Sequence, residues 1–211
     1  MFTGIVEEKG VLAKIEHKGL KKYFRIRCSL ILSSLKIGDS VACNGICLTV
    51  IDFSKDSIVV EAMNETIKKT TADFWKINDR INLERAMVAN GRFDGHIVQG
   101  HIDTIGKIIQ KNNIGETVYF KILFDDKYQG LIVPQGSIAI NGISLTLAEI
   151  SHNTFMVAVI SHTLSMTNLP NLRENDIINI EFDVLGKYIL RQIELKNTNK
   201  ITQDWLLEKG F

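Results

Sequence analysis

The sequence has few cysteines and no long apolar run, and both absences exclude classes of protein. Its three cysteines, Cys28, Cys43 and Cys47, form no C-x-x-C pair, which argues against a disulfide framework or a zinc ribbon. No stretch approaches the ~18 apolar residues that a membrane span requires. The start, MFTGIVEEKG, lacks the basic region and the apolar run of a secretory leader. We therefore expect a cytoplasmic protein.

An excess of charge of either sign is also missing. The chain has 25 Lys and Arg residues against 24 Asp and Glu residues, a net charge of +1. Such a balance gives no overall field that would attract nucleic acid or an acidic membrane. We expect neither of them as a partner.

The familiar cofactor and nucleophile motifs are absent as well. There is no G-x-G-x-x-G, no P-loop and no G-x-S-x-G elbow. His96 and His101 are five residues apart, so on a strand they would face opposite ways and could not share a metal ion. We expect no metal and no nucleotide cofactor. His101 alone could be an acid, a base or a hydrogen-bonded structural histidine, and the pattern favours the last.

Proline is scarce, with two residues in 211, so strand interiors are uninterrupted. Runs such as YFRIRCSLIL, SIVVEAM, VYFKILF and TFMVAVIS are short, rich in Val and Ile, and separated by turn signals. In the first run Cys28 alternates with arginines, which predicts a core position. Several short strands in ~90 residues favour an all-β fold, a small closed barrel or a sandwich.

The two halves of the sequence repeat each other. VACNGICLTV (41–50) matches IAINGISLTL (138–147) at an offset of 97, and NETI and NDRINLE match SHTL and NDIINIE at the same offset. Upstream, GIVEEKG (4–10) matches GHIDTIG (100–106) at an offset of 96. Because four blocks recur in the same order, we predict two homologous domains.

We divide the chain into domains at 1–95 and 96–186, followed by a tail at 187–211. In the tail, GKYILRQIELK places Ile189 and Ile193 four residues apart, which predicts a helix. TQDWLLEKGF begins with a capping-type Thr-x-Asp and predicts a second, short helix. These helices could pack on a barrel end or form an oligomer contact, and the periodicity does not choose.

The paired motifs NGICLTV and NGISLTL differ at one chemically important position, Cys47 against Ser144. Asn-Gly is typical of a type I′ hairpin turn, but the apolar flanks favour a bend or bulge where glycine permits close approach of a neighbour or ligand. Beyond the glycine, alternation places Cys47 and Thr49 on one face and aliphatic residues on the other. Such a face suits a strand that lines a ligand pocket, although a lone cysteine is commonly a buried filler.

Several blocks together resemble the trimeric, duplicated-barrel riboflavin synthase family: MFTGIVEEKG, GDSVACNGICLTV, NLERAM, HIVQGHIDTIG, GSIAINGISLTL and DVLGKYILR. The resemblance covers the whole chain. It implies two closed, six-stranded Greek-key β-barrels in tandem and a C-terminal helical tail that helps to hold a homotrimer. It also implies the reaction. Two molecules of 6,7-dimethyl-8-ribityllumazine give riboflavin and 5-amino-6-ribitylaminouracil by transfer of a four-carbon unit, without a redox cofactor or metal.

The same resemblance implies the site residues. Each barrel binds one lumazine, and the working site lies between the N-terminal barrel of one subunit and the C-terminal barrel of its neighbour. The positions near the chemistry are Phe2, Ser40, Cys47, His101 and Asp183. The binding positions of the first repeat are Gly4, Ile5, Val6, Cys47, Leu48, Thr49, Glu61, Ala62, Met63, Asn64, Glu65 and Thr66. The binding positions of the second repeat are Gly100, His101, Ile102, Gln135, Ser144, Leu145, Thr146, Val159, Ile160, Ser161, His162, Thr163 and Leu164.

The sequence departs from the family pattern at Gln135, where the family commonly has lysine. Glutamine keeps a donor but removes the positive charge from a contact to the lumazine or to a neighbouring subunit. The main alternative function is that of the lumazine proteins, which share the fold and bind a lumazine or flavin as an optical antenna. Ligand-type residues in both repeats favour the enzyme, and a plain interaction module would leave the paired motif unexplained. Association with a lumazine synthase is a further possibility.

Overall fold

Two closed, six-stranded antiparallel β-barrels follow one another along the chain in the computed structural model, which describes residues 1–198. The first barrel contains β1 (Glu8–Lys18), β2 (Lys21–Arg27), β3 (Ser40–Cys43), β4 (Ile46–Phe53), β5 (Ser57–Ala62) and β6 (Arg80–Arg85), with the short helix α1 (Asn64–Lys69). The second barrel contains β7 (Thr104–Ile114), β8 (Thr117–Leu123), β9 (Ser137–Ile140), β10 (Ile143–Ser151), β11 (Thr154–Val159) and β12 (Ile177–Phe182), with the helix α2 (Ser161–Met166). The helix α3 (Val184–Thr198) follows.

Both barrels have the same Greek-key topology. In the first, β3, β4 and β5 are consecutive hairpin-connected neighbours, and β6 returns to pair with β3 and with β1, which closes the barrel. The second barrel repeats this arrangement with β7 to β12 in the corresponding places. The predicted all-β fold of two tandem six-stranded barrels is therefore confirmed.

Each barrel encloses its own hydrophobic core, because every strand presents its apolar side chains inward. On β2, Phe24 and Ile26 are fully buried while Arg25 and Arg27 lie outside, and Cys28 continues the buried series, as predicted. The ring of Trp75 packs on Phe24 with the ring centroids 4.9 Å apart. Burying such side chains contributes roughly 1.5–3 kcal/mol each, and this term holds the barrel closed.

The Asn-Gly pairs form two-residue hairpin turns. Asn44 and Gly45 have φ values of 46° and 78° between β3 and β4, and Asn141 and Gly142 have the same values between β9 and β10. Both residues of a type I′ turn require positive φ, so the preference for a bend or bulge was wrong. The close approach expected from glycine is nevertheless present. A Cβ on Gly45 would lie 2.6 Å from the backbone nitrogen of Gly142, so the two turns contact each other.

A buried network of asparagines joins the barrels around these turns. The Asn82 Nδ2 donates to the Asn141 carbonyl at 3.0 Å and to Asn168 Oδ1 at 3.1 Å. The equivalent residue, Asn179, donates from Nδ2 to the Asn44 carbonyl at 2.9 Å. Each barrel therefore satisfies the polar backbone of the other barrel's turn, which fixes how the two barrels sit together.

The helix α3 begins at Val184, three residues before the expected start of the tail. The Asp183 carboxylate accepts a hydrogen bond from the Leu185 amide at 3.0 Å and so caps the first turn. Leu185, Tyr188, Ile189 and Ile193 are all more than half exposed along this helix. The helix predicted within 202–211 lies outside the described residues. Among residues 1–198 no helix is both long and apolar enough to cross a membrane.

Candidate active site

Small polar side chains from three neighbouring strands share the outer face of the first barrel. Ser40 on β3 pairs with Thr49 on β4, and Thr49 pairs with Glu61 on β5. Cys47 pairs with Ala42 in the same ladder. Directly opposed residues of an antiparallel pair point to the same side, so these side chains form one patch. Thr49 is exposed and Leu48 behind it is buried, which confirms the predicted alternation.

The second barrel carries the equivalent patch. Ser137 on β9 pairs with Thr146 on β10, and Ser144 pairs with Ala139. Thr146 is exposed, like its counterpart. Gln135 precedes β9 in a turn with a φ of 61° and is exposed. The duplication therefore supplies two similar outer patches.

The segments that precede β1 and β7 are exchanged between the barrels: each segment packs against the barrel whose strands it does not lead into. The Gly100 carbonyl accepts a hydrogen bond from the Cys47 amide at 2.9 Å, and the Gly4 carbonyl accepts one from the Ser144 amide at 2.8 Å. Ile102 packs on the first core and Val6 on the second. The grouping by repeat is thus corrected: Gly4, Ile5 and Val6 adjoin the patch of the second barrel, and Gly100, His101 and Ile102 adjoin that of the first.

Glycine is required at both crossings, the points where an exchanged segment passes the patch of the opposite barrel. Gly4 and Gly100 have φ values of +79° and +81°, a conformation that other residues adopt only with strain. A Cβ on Gly100 would lie 2.5 Å from the Cys47 Cβ, and one on Gly4 would lie 2.6 Å from the Ser144 Cβ. The backbone can therefore reach the patches only where no side chain intervenes.

Phe2 fills the space between the barrels next to these crossings. Its amide donates to the Val98 carbonyl at 2.7 Å, and the Val98 amide donates back to the Phe2 carbonyl at 3.1 Å. The fully buried ring belongs to a small apolar cluster with Ala42, Val98 and Ala139, and Cys47 packs against this cluster. Phe2 therefore lies behind Cys47 and fixes the depth of the first patch.

The remaining predicted segments run from a strand end into a short helix in each barrel. Glu61 ends near Lys21 with an ion-pair distance of 2.8 Å, and the hydrogen bonds from Lys21 and Tyr23 hold the pKa of this carboxyl below its usual range. Met63 and Ile160 are more than half exposed just before α1 and α2. The helical members of these segments are Asn64, Glu65 and Thr66 in the first barrel and Ser161, His162, Thr163 and Leu164 in the second.

The two patches differ chemically at equivalent positions. The first patch offers a thiol, a carboxylate and an imidazole, of which the imidazole is exposed. The second offers a hydroxyl and two apolar side chains, of which the isoleucine is 47% exposed. The equivalent pairs are Cys47 and Ser144, Glu61 and Ala158, and His101 and Ile5.

His96 is a site residue that sequence reasoning missed. Its Nδ1 lies 2.7 Å from the Ser144 hydroxyl, and its amide donates to the Thr3 carbonyl at 3.1 Å. Burial lowers the pKa of the imidazole and the nearby Asp183 carboxylate opposes this, so the neutral form prevails at pH 7. The sequence suggests only a metal-ligand role for His96, and that role is rejected. The distance of 48 positions between His96 and Ser144 gives no sign of their contact.

Removal of the imidazole should weaken the second patch selectively. We expect His96→Ala and Ser144→Ala each to reduce kcat/KM by roughly tenfold, because each removes one hydrogen bond that orients the other group. The double variant should lose little more than either single variant. Steady-state kinetics with the lumazine that the sequence resemblance implies as substrate measures this coupling. Fully additive losses would show that the two residues act independently.

Glu84 on β6 makes stability depend on pH. Burial raises the pKa of this carboxyl to about 7, with a small further contribution from Glu7, although hydrogen bonds from Thr3 and Gly4 oppose the shift. Because the folded pKa exceeds the unfolded one, the folded protein binds the proton more tightly.

We therefore expect the free energy of unfolding to decrease by about 3 kcal/mol as pH rises from 4.5 through 7, at 1.36 kcal/mol per pKa unit. Urea titrations at a series of pH values measure this slope, and Glu84→Gln should remove that contribution. A Glu84→Gln protein with the wild-type slope would contradict the assignment.

Within residues 1–198 no cluster of three or more His, Cys, Asp or Glu side chains could hold a metal ion. A cleft of about 540 Å³ does lie beside β6, and both Ser40 and Ile5 line it. This volume is within the range of small-molecule sites.

Comparison with known proteins gives the family. The sequence matches the lumazine binding domain family twice, over residues 3–86 and 99–183. It is 40% identical over 215 residues to the riboflavin synthase of Bacillus subtilis (strain 168) and 40% identical over 216 residues to that of Actinobacillus pleuropneumoniae, with 100% of both chains covered in each comparison. It is 37% identical over 215 residues to the riboflavin synthase of Saccharomyces cerevisiae, covering 96% of this chain and 90% of the relative. The chain belongs to the riboflavin synthase family.

Solved structures of LumP share the fold of this riboflavin synthase family chain. The complex of LumP with riboflavin has a TM-score of 0.81 at 24% identity, and the complex with 6,7-dimethyl-8-(1'-D-ribityl) lumazine has a TM-score of 0.79 at the same identity. Each comparison covers 86% of this chain and 99% of LumP. Both family matches begin upstream of the first strand of a barrel, so each includes part of an exchanged segment.

Proposed function

We propose that the protein is a transferase that converts two molecules of 6,7-dimethyl-8-ribityllumazine into riboflavin and 5-amino-6-ribitylaminouracil, the last step of riboflavin biosynthesis. The full-length identity of 40% to proteins named riboflavin synthase carries this proposal. The duplicated outer patch supports it, because a reaction that joins two copies of one molecule can use two copies of one binding domain.

The residues of the two patches can supply most of what the chemistry requires. The 7-methyl group of a lumazine is acidic because its anion delocalises into the electron-poor ring, so a modest base on the donor suffices. Attack on C7 of the acceptor requires a nucleophile or an activated water. Ser40, Cys47, His101 and Asp183 are the candidates for these steps. Holding two flat reactants face to face supplies a further large part of the acceleration.

The site forms between neighbouring subunits of a homotrimer in this proposal. Thr49, Thr146 and His101 are exposed in the single chain, so both patches are open to a neighbour. The exposed apolar residues of α3 support a role for this helix in the contact. We also retain the functional division at 1–95, 96–186 and 187–211 and a cytoplasmic location as parts of the proposal.

Incubation of the purified protein with 6,7-dimethyl-8-ribityllumazine tests the function. We expect flavin fluorescence to rise until one riboflavin has formed for every two lumazines consumed. Tight binding of lumazine without turnover would contradict the proposal and favour an antenna protein. Absence of binding would contradict both and favour an interaction module.

Cys47→Ser tests the contribution of the thiol. The second barrel carries serine at the equivalent position, so the substitution fits the local geometry. Single-turnover measurement separates the chemical step from product release. An unchanged single-turnover rate would rule out an essential thiolate, and the nucleophile would then be sought at Ser40 or an activated water.

A further inference from the structure

Two buried glutamates occupy equivalent positions in the two barrels. Glu84 lies on β6 and Glu181 on β12, separated by the repeat offset of 97, and they are 5% and 1% exposed. Among residues 1–198 neither carboxylate has a cationic side chain within ion-pair distance; Arg85 pairs with Glu7 instead, and Lys187 pairs with Asp103. A buried carboxylate requires compensating donors.

The donors come from the exchanged segments. Glu84 Oε1 accepts hydrogen bonds from the Thr3 amide at 2.6 Å and the Thr3 hydroxyl at 2.8 Å, and Oε2 accepts one from the Gly4 amide at 3.0 Å. Glu181 Oε1 accepts from the Gln99 amide at 2.7 Å, and Oε2 accepts from the Gly100 amide at 2.9 Å. Each carboxylate therefore holds two consecutive backbone amides with its two oxygens.

The hydrogen bonds continue into the opposite barrel. The Gly4 carbonyl accepts from the Ser144 amide, so Glu84 of the first barrel is linked to the patch of the second. The Gly100 carbonyl accepts from the Cys47 amide, so Glu181 of the second barrel is linked to the patch of the first. The linkage is reciprocal because the segments are exchanged.

A carboxylate is the side chain that this geometry requires. Both of its oxygens accept, whereas a carboxamide of the same shape would turn an NH₂ group towards one of the two amides. Hydrogen bonds to an ionised acceptor are also about twice as strong as neutral ones. Glutamine at either position would therefore retain the volume and lose the hold on one amide.

We propose that Glu84 and Glu181 are positioning residues, each of which sets the ligand patch of the barrel to which it does not belong. Glu84 fixes Gly4, Ile5 and Val6 against Ser144, and Glu181 fixes Gly100, His101 and Ile102 against Cys47. The consequence for catalysis rests on the proposed function. The crosswise placement of the two patches rests on the hydrogen bonds alone.

Thiol reactivity in the absence of substrate tests the crosswise effect. The Ser144→Cys protein presents one thiol at each patch, and the buried Cys28 and Cys43 serve as slow internal references. Alkylation by iodoacetamide at pH 8, above the pKa of about 7 that burial gives Glu84, followed by peptide mass spectrometry, reads both thiols in one sample. Glu181→Gln in this background should accelerate alkylation of Cys47 by roughly tenfold. The variant loses a charge-assisted hydrogen bond to the segment around Gly100, and this segment lies against Cys47. Glu84→Gln should do the same for the introduced thiol only.

Matched variants separate positioning from general loosening. Glu149→Gln replaces an exposed carboxylate on β10 and should change neither rate. Thr3→Val removes only the hydroxyl donor to Glu84. It should raise the alkylation rate of the introduced thiol, as Glu84→Gln does, but to a smaller extent. This variant serves as the test if Glu84→Gln does not fold.

Two outcomes would overturn the proposal. One is that each glutamine variant exposes the thiol of its own barrel, and the other is that either variant accelerates both thiols equally. In the wild-type background we also expect each glutamine variant to reduce riboflavin formation roughly tenfold. If the thiols respond crosswise but the wild-type protein forms no riboflavin, the positioning role stands and the proposed function fails.

Discussion

Gly100→Ala is expected to reduce riboflavin formation by at least ~100-fold, because a misplacement of about 1 Å at a reacting centre has effects of this size. The new Cβ would lie 2.5 Å from the Cys47 Cβ and 2.8 Å from the Cys47 amide nitrogen, so β4 or the exchanged segment must move. Either movement separates His101 from the first patch. Fluorescence assay of riboflavin under saturating lumazine measures the effect.

A second glycine isolates the contribution of the clash. Gly115, in the turn between β7 and β8, also has a positive φ of +60°, but a Cβ there would meet nothing within 4 Å. Backbone strain at Gly115→Ala should therefore lower the free energy of unfolding by about 1 kcal/mol. The variant should keep full activity. Activity of Gly100→Ala equal to that of Gly115→Ala would show that the close approach to Cys47 has no catalytic importance.

Asn82→Ala is expected to lower the free energy of unfolding by about 3–4 kcal/mol, because it leaves buried polar groups without partners. The side chain donates to the Asn141 carbonyl and to Asn168 Oδ1, and its own Oδ1 accepts from the Asn168 amide at 2.7 Å. Water cannot readily replace these bonds, because Asn82, Asn141 and Asn168 are all at most 5% exposed. Chemical denaturation at constant pH measures the loss.

Asn82→Asp is the sharper version of this test. The aspartate retains the shape but turns an acceptor towards the Asn141 carbonyl and Asn168 Oδ1, so it should destabilise at least as much as alanine. Asn112→Ala, at an exposed position on β7, provides the control and should change stability by less than about 0.5 kcal/mol. A loss of similar size at Asn82 and Asn112 would contradict a structural role for the network.

Much of the fold follows from local sequence signals. Alternation on β2 places Phe24 and Ile26 inside, and alternation on β4 places Cys47 and Thr49 outside, because a pleated strand has a side-chain period of two. The repeat offset predicts that the same pattern holds in the second barrel. The Asn-Gly turns were misjudged because their apolar flanks indicate burial on both sides. The contact between the two turns accounts for that burial.

The arrangement of the candidate site does not follow from the sequence. Gly4 contacts Ser144 and Gly100 contacts Cys47 through single backbone hydrogen bonds between distant parts of the chain, and no periodicity records such contacts. Glu84 occupies a strand position in NLER where an acidic residue ordinarily indicates a solvent-facing side chain. His96 and both glutamates are recognisable as site residues only from the positions of the exchanged segments.

The exchange of the two segments also constrains how the repeats can diverge. Each ligand patch is assembled from the β-strands of one repeat and the leading segment of the other. A substitution where they meet therefore affects residues of both repeats. A chimera that took one repeat from a distant relative would inherit half of each patch and complete neither. The two halves must therefore change in step, even as Cys47 and Ser144 hold them apart in chemistry.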